Sequence, residues 1–155
     1  MVKKCFFSFF VIFIFTVSSI AASDETESEE KKFPPQAILF AAYQGNIDLI
    51  LEILADDPDR NVRDALGSTA LHLATLQPNP AVVKLLLDNG FDPNARATRN
   101  GNTPLHNAVA ANNPDAARVL LSYQADKNIR NLDGQTPYEK AVREEKRPLV
   151  LLLLR

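Results

Sequence analysis

Hydrophobic and polar residues follow three different rules along this chain. From Cys5 to Val17 they make a nearly unbroken apolar run, CFFSFFVIFIFTV, and from Asp24 to Lys32 an entirely polar one, DETESEEKK. From Pro35 onward apolar residues recur at helical spacing, as in Val82, Val83, Leu85, Leu86 and Leu87, the mark of helices with one buried face. Thr103-Pro104 and Thr136-Pro137 each set an N-cap hydroxyl before a proline whose missing N–H costs nothing in the first helical turn. A second series of helices opens near Asp48, Pro80, Pro114 and Pro148, and each short first helix pairs antiparallel with the second helix after it. Gly90 stands where a helix end turns left-handed. The mostly polar stretch Phe91–Asn102 then leads to the next pair as a projecting turn.

The same punctuation returns with a fixed period. Gly67, Gly101 and Gly134 lie 34 and 33 residues apart, Thr69, Thr103 and Thr136 follow each by two, and Ala74, Ala108 and Ala141 follow each threonine by five. Asn61, Asn94 and Asn128 keep the period, and carrying it backwards puts Ala41 on the alanine position and Gln36 on the threonine position. Four copies result, at 35–63, 64–96, 97–130 and 131–155, the first of them divergent. Helices this short are marginal alone, because nucleation is costly and few hydrogen bonds follow it. The predicted fold is therefore all-α: a solenoid of four helix-turn-helix units joined by projecting turns, stable through stacking of neighbours.

Gly101-Asn102-Thr103-Pro104-Leu105-His106, followed by Val119-Leu120-Leu121 and Ala125-Asp126, resembles the ankyrin repeat. Gly67 to His72 with Leu85 to Gly90 matches nearly as well, and Gly134 to Tyr138 is a weaker copy. The resemblance spans Pro35 to Arg155 and implies β-turn loops between the units. It departs from the pattern where Ala70 replaces proline, Gln124 stands for glycine, Tyr138-Glu139 replaces Leu-His, and one extra residue lies between Asn94 and Gly101. Gln124 in a left-handed conformation is expected to distort its turn at a cost of about 1 kcal/mol. His72 and His106, with Thr69, Thr103 and Thr136, are the repeat's structural motif, and the resemblance implies that the histidines tie turns and helices together.

The first 22 residues read differently. Lys3 and Lys4, the apolar run, and then Ser18 to Ser23 have the order of a secretory signal peptide. The thirteen residues of this run rise only about 20 Å as a helix, short of the hydrocarbon layer, so no stable membrane span is expected. Cys5 lies too early for a lipoprotein cleavage box and leaves with the peptide. Residues 23–34 form an acidic, solvated leader. Six of the nine Phe lie in the first fifteen residues, so the 46% hydrophobic content is an export signal added to a repeat core. Export places the protein in the periplasm or secreted space.

Composition narrows the chemistry. One Cys excludes a disulfide framework. Seventeen basic against nineteen acidic residues, fifteen against nineteen once Lys3 and Lys4 are removed, give no cationic surplus for nucleic acid. No phosphate loop, His-Glu-x-x-His, Gly-x-Ser-x-Gly or calcium loop occurs. His72 and His106, one repeat apart, are too distant to share a metal, and Asp56, Asp57 and Asp59 read as a solvated turn. No cofactor and no enzymatic activity are expected.

The remaining role is binding of a protein. The resemblance implies a concave face made of turn tips and first helices, here Tyr43 and Gln44, then Leu66, Ser68, Leu76 and Gln77. Arg99, Asn100, Asn102, Ala110 and Ala111 continue it, and Leu132, Asp133, Gln135, Arg143 and Glu144 complete it. A second surface is the C-terminal helix, where Leu149 to Leu154 is apolar all round. Leu151 and Leu152 are its candidate end contacts, to a partner or a second copy. The leading function is a non-catalytic scaffold or adaptor. The alternatives are an immunity or inhibitor protein that neutralises an exported toxin or enzyme, and an accessory protein in envelope or oxidative stress. The leader gives a direct test: mass spectrometry of the protein from an exporting cell is expected to show a new N-terminus at Ala22 or Asp24, and an intact Met1 would refute cleavage.

Overall fold

The computed structural model describes residues 32–154. The expected signal peptide at 1–22 and all but the end of the leader lie outside these residues. Among the described residues there are eight helices and no strand: α1 (Ala37–Gln44), α2 (Ile47–Leu54), α3 (Ala70–Ala74), α4 (Pro80–Asp88), α5 (Pro104–Ala110), α6 (Pro114–Ser122), α7 (Pro137–Arg143) and α8 (Arg147–Leu153). They pair as α1–α2, α3–α4, α5–α6 and α7–α8. The first helices stack in a row, α1 on α3, α3 on α5 and α5 on α7, while α4 packs on α6 and α6 on α8. The four-unit all-helical solenoid expected from the repeat is the fold.

Local chemistry sets where each helix begins. Thr69, Thr103 and Thr136 are extended N-caps of α3, α5 and α7, and each shares a reciprocal capping box with the residue three positions on. Asn46, Asn79 and Asn113 cap α2, α4 and α6 through their side-chain oxygens. The divergent ends lack this. Gln36 before α1 and Lys146 before α8 make no side-chain cap bond. The first and last units therefore depend more on packing than on their own caps.

One core runs through all four units. Ile38, Ile50, Ile53, Leu71, Val82, Val83, Leu86, Leu105, Leu120 and Leu149 are fully buried within it. The repeated alanines Ala41, Ala74, Ala108 and Ala141 are all 0% exposed, since a small side chain lets neighbouring first helices approach closely.

The loops carry a second, polar layer of stacking. Each is a closed turn: Asp64 N–H donates to the Ser68 carbonyl, Ala97 N–H to Asn102 and Asn131 N–H to Gln135, at 2.8 to 3.0 Å. The middle turn spans one residue more than its neighbours, which accommodates the extra residue before Gly101 without disturbing the helices. Adjacent loops are joined where Arg99 N–H donates to the Leu66 carbonyl (3.2 Å) and Leu132 N–H to Asn100 (2.9 Å).

Three arginines, unremarked by motif reading, link the loops further. Arg63 donates from Nη1 to the carbonyls of Gly67 and Arg96, both at 2.8 Å, and Arg96 donates from Nη2 to the carbonyl of Arg130 at 2.9 Å. Arg130 turns back to the Gly134 carbonyl and the Glu139 carboxylate. Arg63 and Arg96 thus each clamp the loop that follows through one guanidinium. The signal was present in the sequence, since positions 63, 96 and 130 keep the repeat period.

The expected distortion at Gln124 does not occur. Its φ is +61°, and its N–H bonds Leu121 while the Ala125 N–H bonds Leu120, the same pattern that Gly90 and Phe91 make with Leu87 and Leu86. Two backbone hydrogen bonds hold the left-handed residue in place.

Gly67 is constrained by a neighbour as well as by its φ of +76°. A Cβ there would lie 1.4 Å from Thr98 Oγ1 and 2.6 Å from the Thr98 backbone nitrogen. Gly134, with φ of +75°, meets nothing within 4 Å. Gly67→Ala is expected to destabilise the protein by more than the roughly 1 kcal/mol of a left-handed alanine, because the second and third loops must separate, whereas Gly134→Ala shows the backbone cost alone. Urea unfolding of the two variants checks this, and equal losses would refute the loop-contact account.

Candidate functional site

The first helices and loop tips present one continuous face, and its floor is built by the histidines. Thr69 N–H donates to His72 Nδ1 at 3.2 Å, and the Thr69 hydroxyl lies 2.9 Å from the same nitrogen. A backbone N–H can only donate, so Nδ1 is the unprotonated nitrogen and Nε2 carries the hydrogen. Nε2 donates to the carbonyl of Asn102, in the next loop, at 2.9 Å. Thr103 and His106 repeat the arrangement, with Nε2 donating to the Gln135 carbonyl at 2.9 Å. Each imidazole thus closes its own helix N-terminus and holds the following loop.

Both rings are 0% exposed. Burial is the main cause that holds their pKa values below the usual 6.5, opposed by the carbonyl bond each ring donates. With both nitrogens engaged, neither ring is free to bind a metal or serve as a base. Among the described residues no group of three His, Cys, Asp or Glu could hold a metal ion.

In the fourth unit Glu139 takes the histidine position. Its carboxylate accepts from Thr136 N–H at 2.8 Å and from Arg130 at 2.6 Å, while Thr136 Oγ1 accepts from Glu139 N–H at 3.2 Å. The Thr136 amide first, and then the Arg130 guanidinium, lower its pKa. A carboxylate completes the capping box but has no second donor for another loop. No further loop follows it among the described residues.

Above this floor the expected contact residues separate into two groups. Tyr43 is 56% exposed, Leu66 46%, Leu76 43% and Leu132 66%, so none of these large apolar side chains folds inward. Gln44, Arg99, Asn100, Asp133 and Arg143 are exposed beside them, as are Ala110 and Ala111.

Ser68 and Asn102, by contrast, are buried at 8% and are not contact residues. Ser68 closes its turn onto Asp64, and Asn102 accepts from Asn131 Nδ2 at 2.9 Å while its own carbonyl serves His72. Loop stacking has taken the Asn102 side chain. Gln77 is half-buried and donates to the Tyr43 carbonyl, tying the second unit to the first. Gln135 is also half-buried, and its Oε1 has no hydrogen-bond partner among the described residues.

At the C-terminal end the two leucines differ. Leu151 is 67% exposed, whereas Leu152 is half-buried against the core. Val142, 48% exposed, and Leu154, 61% exposed, were missed. Alignment of the repeat could have found Val142, because it occupies the position of Ala42, Thr75 and Val109.

The ankyrin-repeat family model, in three copies, matches residues 16–97, 38–131 and 95–155. The chain is 40% identical over 58 residues to a mitochondrial disaggregase of Bos taurus, covering 37% of this chain and 9% of that protein. It is 33% identical over 72 residues to a 60 kDa lysophospholipase of Mus musculus, covering 46% of this chain and 13% of that one. It is 43% identical over 60 residues to the putative ankyrin repeat protein YahD of Escherichia coli, covering 39% and 30%. The matched stretches span less than a third of each relative.

The two histidine bonds make stability depend on pH. Their folded-state pKa values lie below 6.5, so the unfolded chain binds more protons between the folded and unfolded values. The contribution is therefore complete above about pH 6.5 and declines as pH falls through the lowered folded values. Melting temperature is expected to drop as pH falls below about 6.5, and the drop is expected to be smaller in His72→Gln and His106→Gln. An identical pH profile in the variants would refute it.

Proposed function

The chain belongs to the ankyrin-repeat family, and on that premise we propose that it is an exported, non-catalytic adaptor that holds another protein against its loop tips and first helices. Ankyrin repeats are protein-interaction modules. Enzyme names among the relatives do not transfer, because the shared stretch is the repeat array and only 9 to 13% of those proteins. Export rests on the order of residues in the first 23 positions.

The observation that carries the binding face is the exposure of Tyr43, Leu66, Leu76 and Leu132 over a floor whose polar groups are occupied. His72, His106, Asn102, Arg63 and Arg96 spend their hydrogen bonds on neighbouring units, and Arg130 is engaged by the Gly134 carbonyl and Glu139. Aromatic and aliphatic anchors with exposed arginines beside them, Arg99 and Arg143, suit a partner that offers apolar side chains next to polar ones.

A sharper form of this reading makes the partner one exported toxin or enzyme that the chain neutralises. Its support is the acidic balance of fifteen basic against nineteen acidic residues after cleavage, which steers a basic target. Rescue of cells from such a co-expressed protein selects this form.

Affinity capture from the exported fraction with tagged protein, repeated with Leu66→Ser, Leu76→Ser and Arg99→Ser together, tests the face. Capture is expected to fall at least about tenfold with the helical spectrum unchanged, since each lost anchor contributes about 1 kcal/mol or more. Unaltered capture would reject this face.

A further inference from the structure

Charge is divided unevenly along the array. Residues 35–96 carry eight acidic and four basic side chains, whereas residues 97–155 carry six and nine. The first two units are therefore net negative and the last two net positive, within a chain that is acidic as a whole. The loop and first-helix face follows the same division. Seven residues after the N-caps of α1, α3, α5 and α7 stand Tyr43, Leu76, Ala110 and Arg143. Across the stacked first helices this row runs aromatic, aliphatic, small and cationic. Leu66 is exposed on the loop of the unit that carries Leu76, which gathers apolar surface over the first two units. Leu132, on the last loop, is the one large apolar anchor of the face outside them.

The cations of the positive half remain available on this face. Arg99 is exposed, and among the described residues its guanidinium forms no ion pair or hydrogen bond. Arg143 comes within 3.9 Å of Glu144, but Lys140 already holds that carboxylate at 2.7 Å. Arg96 donates to the Arg130 carbonyl, a neutral partner, so its charge is uncompensated. Fewer acids oppose them. Glu139 is paired with Arg130, Asp133 at the last loop tip is unpaired, and Glu145 on the rim is followed by Lys146 and Arg147. Ala110 and Ala111 are exposed on α5, the helix stacked against the one that carries Arg143. No side chain longer than a methyl covers the floor there. In the negative half, most acids lie on α2, on α4 and in the turns after them. Asp64, in the second loop, accepts from the Leu66 and Ser68 N–H groups and has Arg63 beside it.

Resting on the reading of this face as the binding face, we propose that its occupant is an extended acidic segment of a partner protein, held in one orientation. Its apolar side chains lie against Tyr43, Leu66 and Leu76, and its carboxylates over Arg99 and Arg143. A guanidinium offers a carboxylate two parallel hydrogen bonds, and the negative half of the array repels the same carboxylates, which fixes the direction. Four first helices about 10 Å apart span about 30 Å, the length of roughly nine extended residues. The net acidity of the whole chain acts on a partner's approach, whereas these arginines act at the contact. The bound segment is therefore acidic whatever the charge of the partner as a whole.

Selection of random peptides of about twelve residues, displayed on phage, against immobilised protein expressed from the full chain tests this. Enriched peptides are expected to carry an apolar cluster and an acidic cluster, and to bind more weakly as salt rises from about 50 to 500 mM. Arg99→Glu/Arg143→Glu is expected to weaken a synthetic copy of the best peptide at least about tenfold, because each change sets like charges together. Both side chains are at the surface, so the variant keeps its fold, which circular dichroism verifies. Selection repeated against that variant is decisive: basic residues are expected to replace the acidic cluster while the apolar cluster stays. Peptides without acids, or binding indifferent to the arginine changes, would overturn the acidic segment. If Leu66→Ser/Leu76→Ser still abolishes binding in that case, the face itself stands. Binding indifferent to both sets of changes would reject the face as well, and no enrichment at all would overturn the proposal.

Discussion

The constraint on which this molecule depends is that none of its helices is long enough to hold itself. The longest have nine residues and α3 has five, well below the length at which a helix is stable alone in water. Each unit is kept helical by its neighbours, through alanines that let first helices touch and through bonds that cross from one unit to the next. The polar bonds are organised as two relays. One runs from a threonine-capped histidine to the next loop's carbonyl, and the other from a loop arginine to the next arginine's carbonyl. Both have direction, each unit reaching toward the one after it.

That direction decides what is left for function. Groups that would otherwise suggest chemistry, two imidazoles and a row of guanidiniums, are consumed in joining units. The exposed surface includes large apolar side chains: Tyr43, Leu66, Leu76 and Leu132 on the loop and first-helix face, Val142, Leu151 and Leu154 at the far end, and Phe40 and Leu51 in the first unit. Binding of another protein is a property such a surface offers.

The departures from the repeat fit the same logic. Glu139 caps α7 as well as a histidine would but cannot reach onward, and it occurs in the unit with no following loop among the described residues. The extra residue before Gly101 is absorbed in a turn one residue wider than the others. Gln124 adopts the glycine conformation because two backbone bonds fix it there.

Much of this was legible without coordinates. The 33- and 34-residue spacing of glycine, threonine and alanine, with Thr-Pro starts, determined four helix pairs and their order, because a fixed period can be satisfied only by stacking like units. The period also contained the arginine relay at 63, 96 and 130, although nothing in the residue type announced it. Packing decided the rest. Ser68 and Asn102 occupy loop positions that read as surface, yet neighbouring loops bury them. Leu151 and Leu152 are chemically identical and adjacent, yet one faces solvent and the other the core. Sequence period fixes which residues are equivalent, while exposure depends on whether a neighbouring unit lies over that position, which only the assembled stack determines.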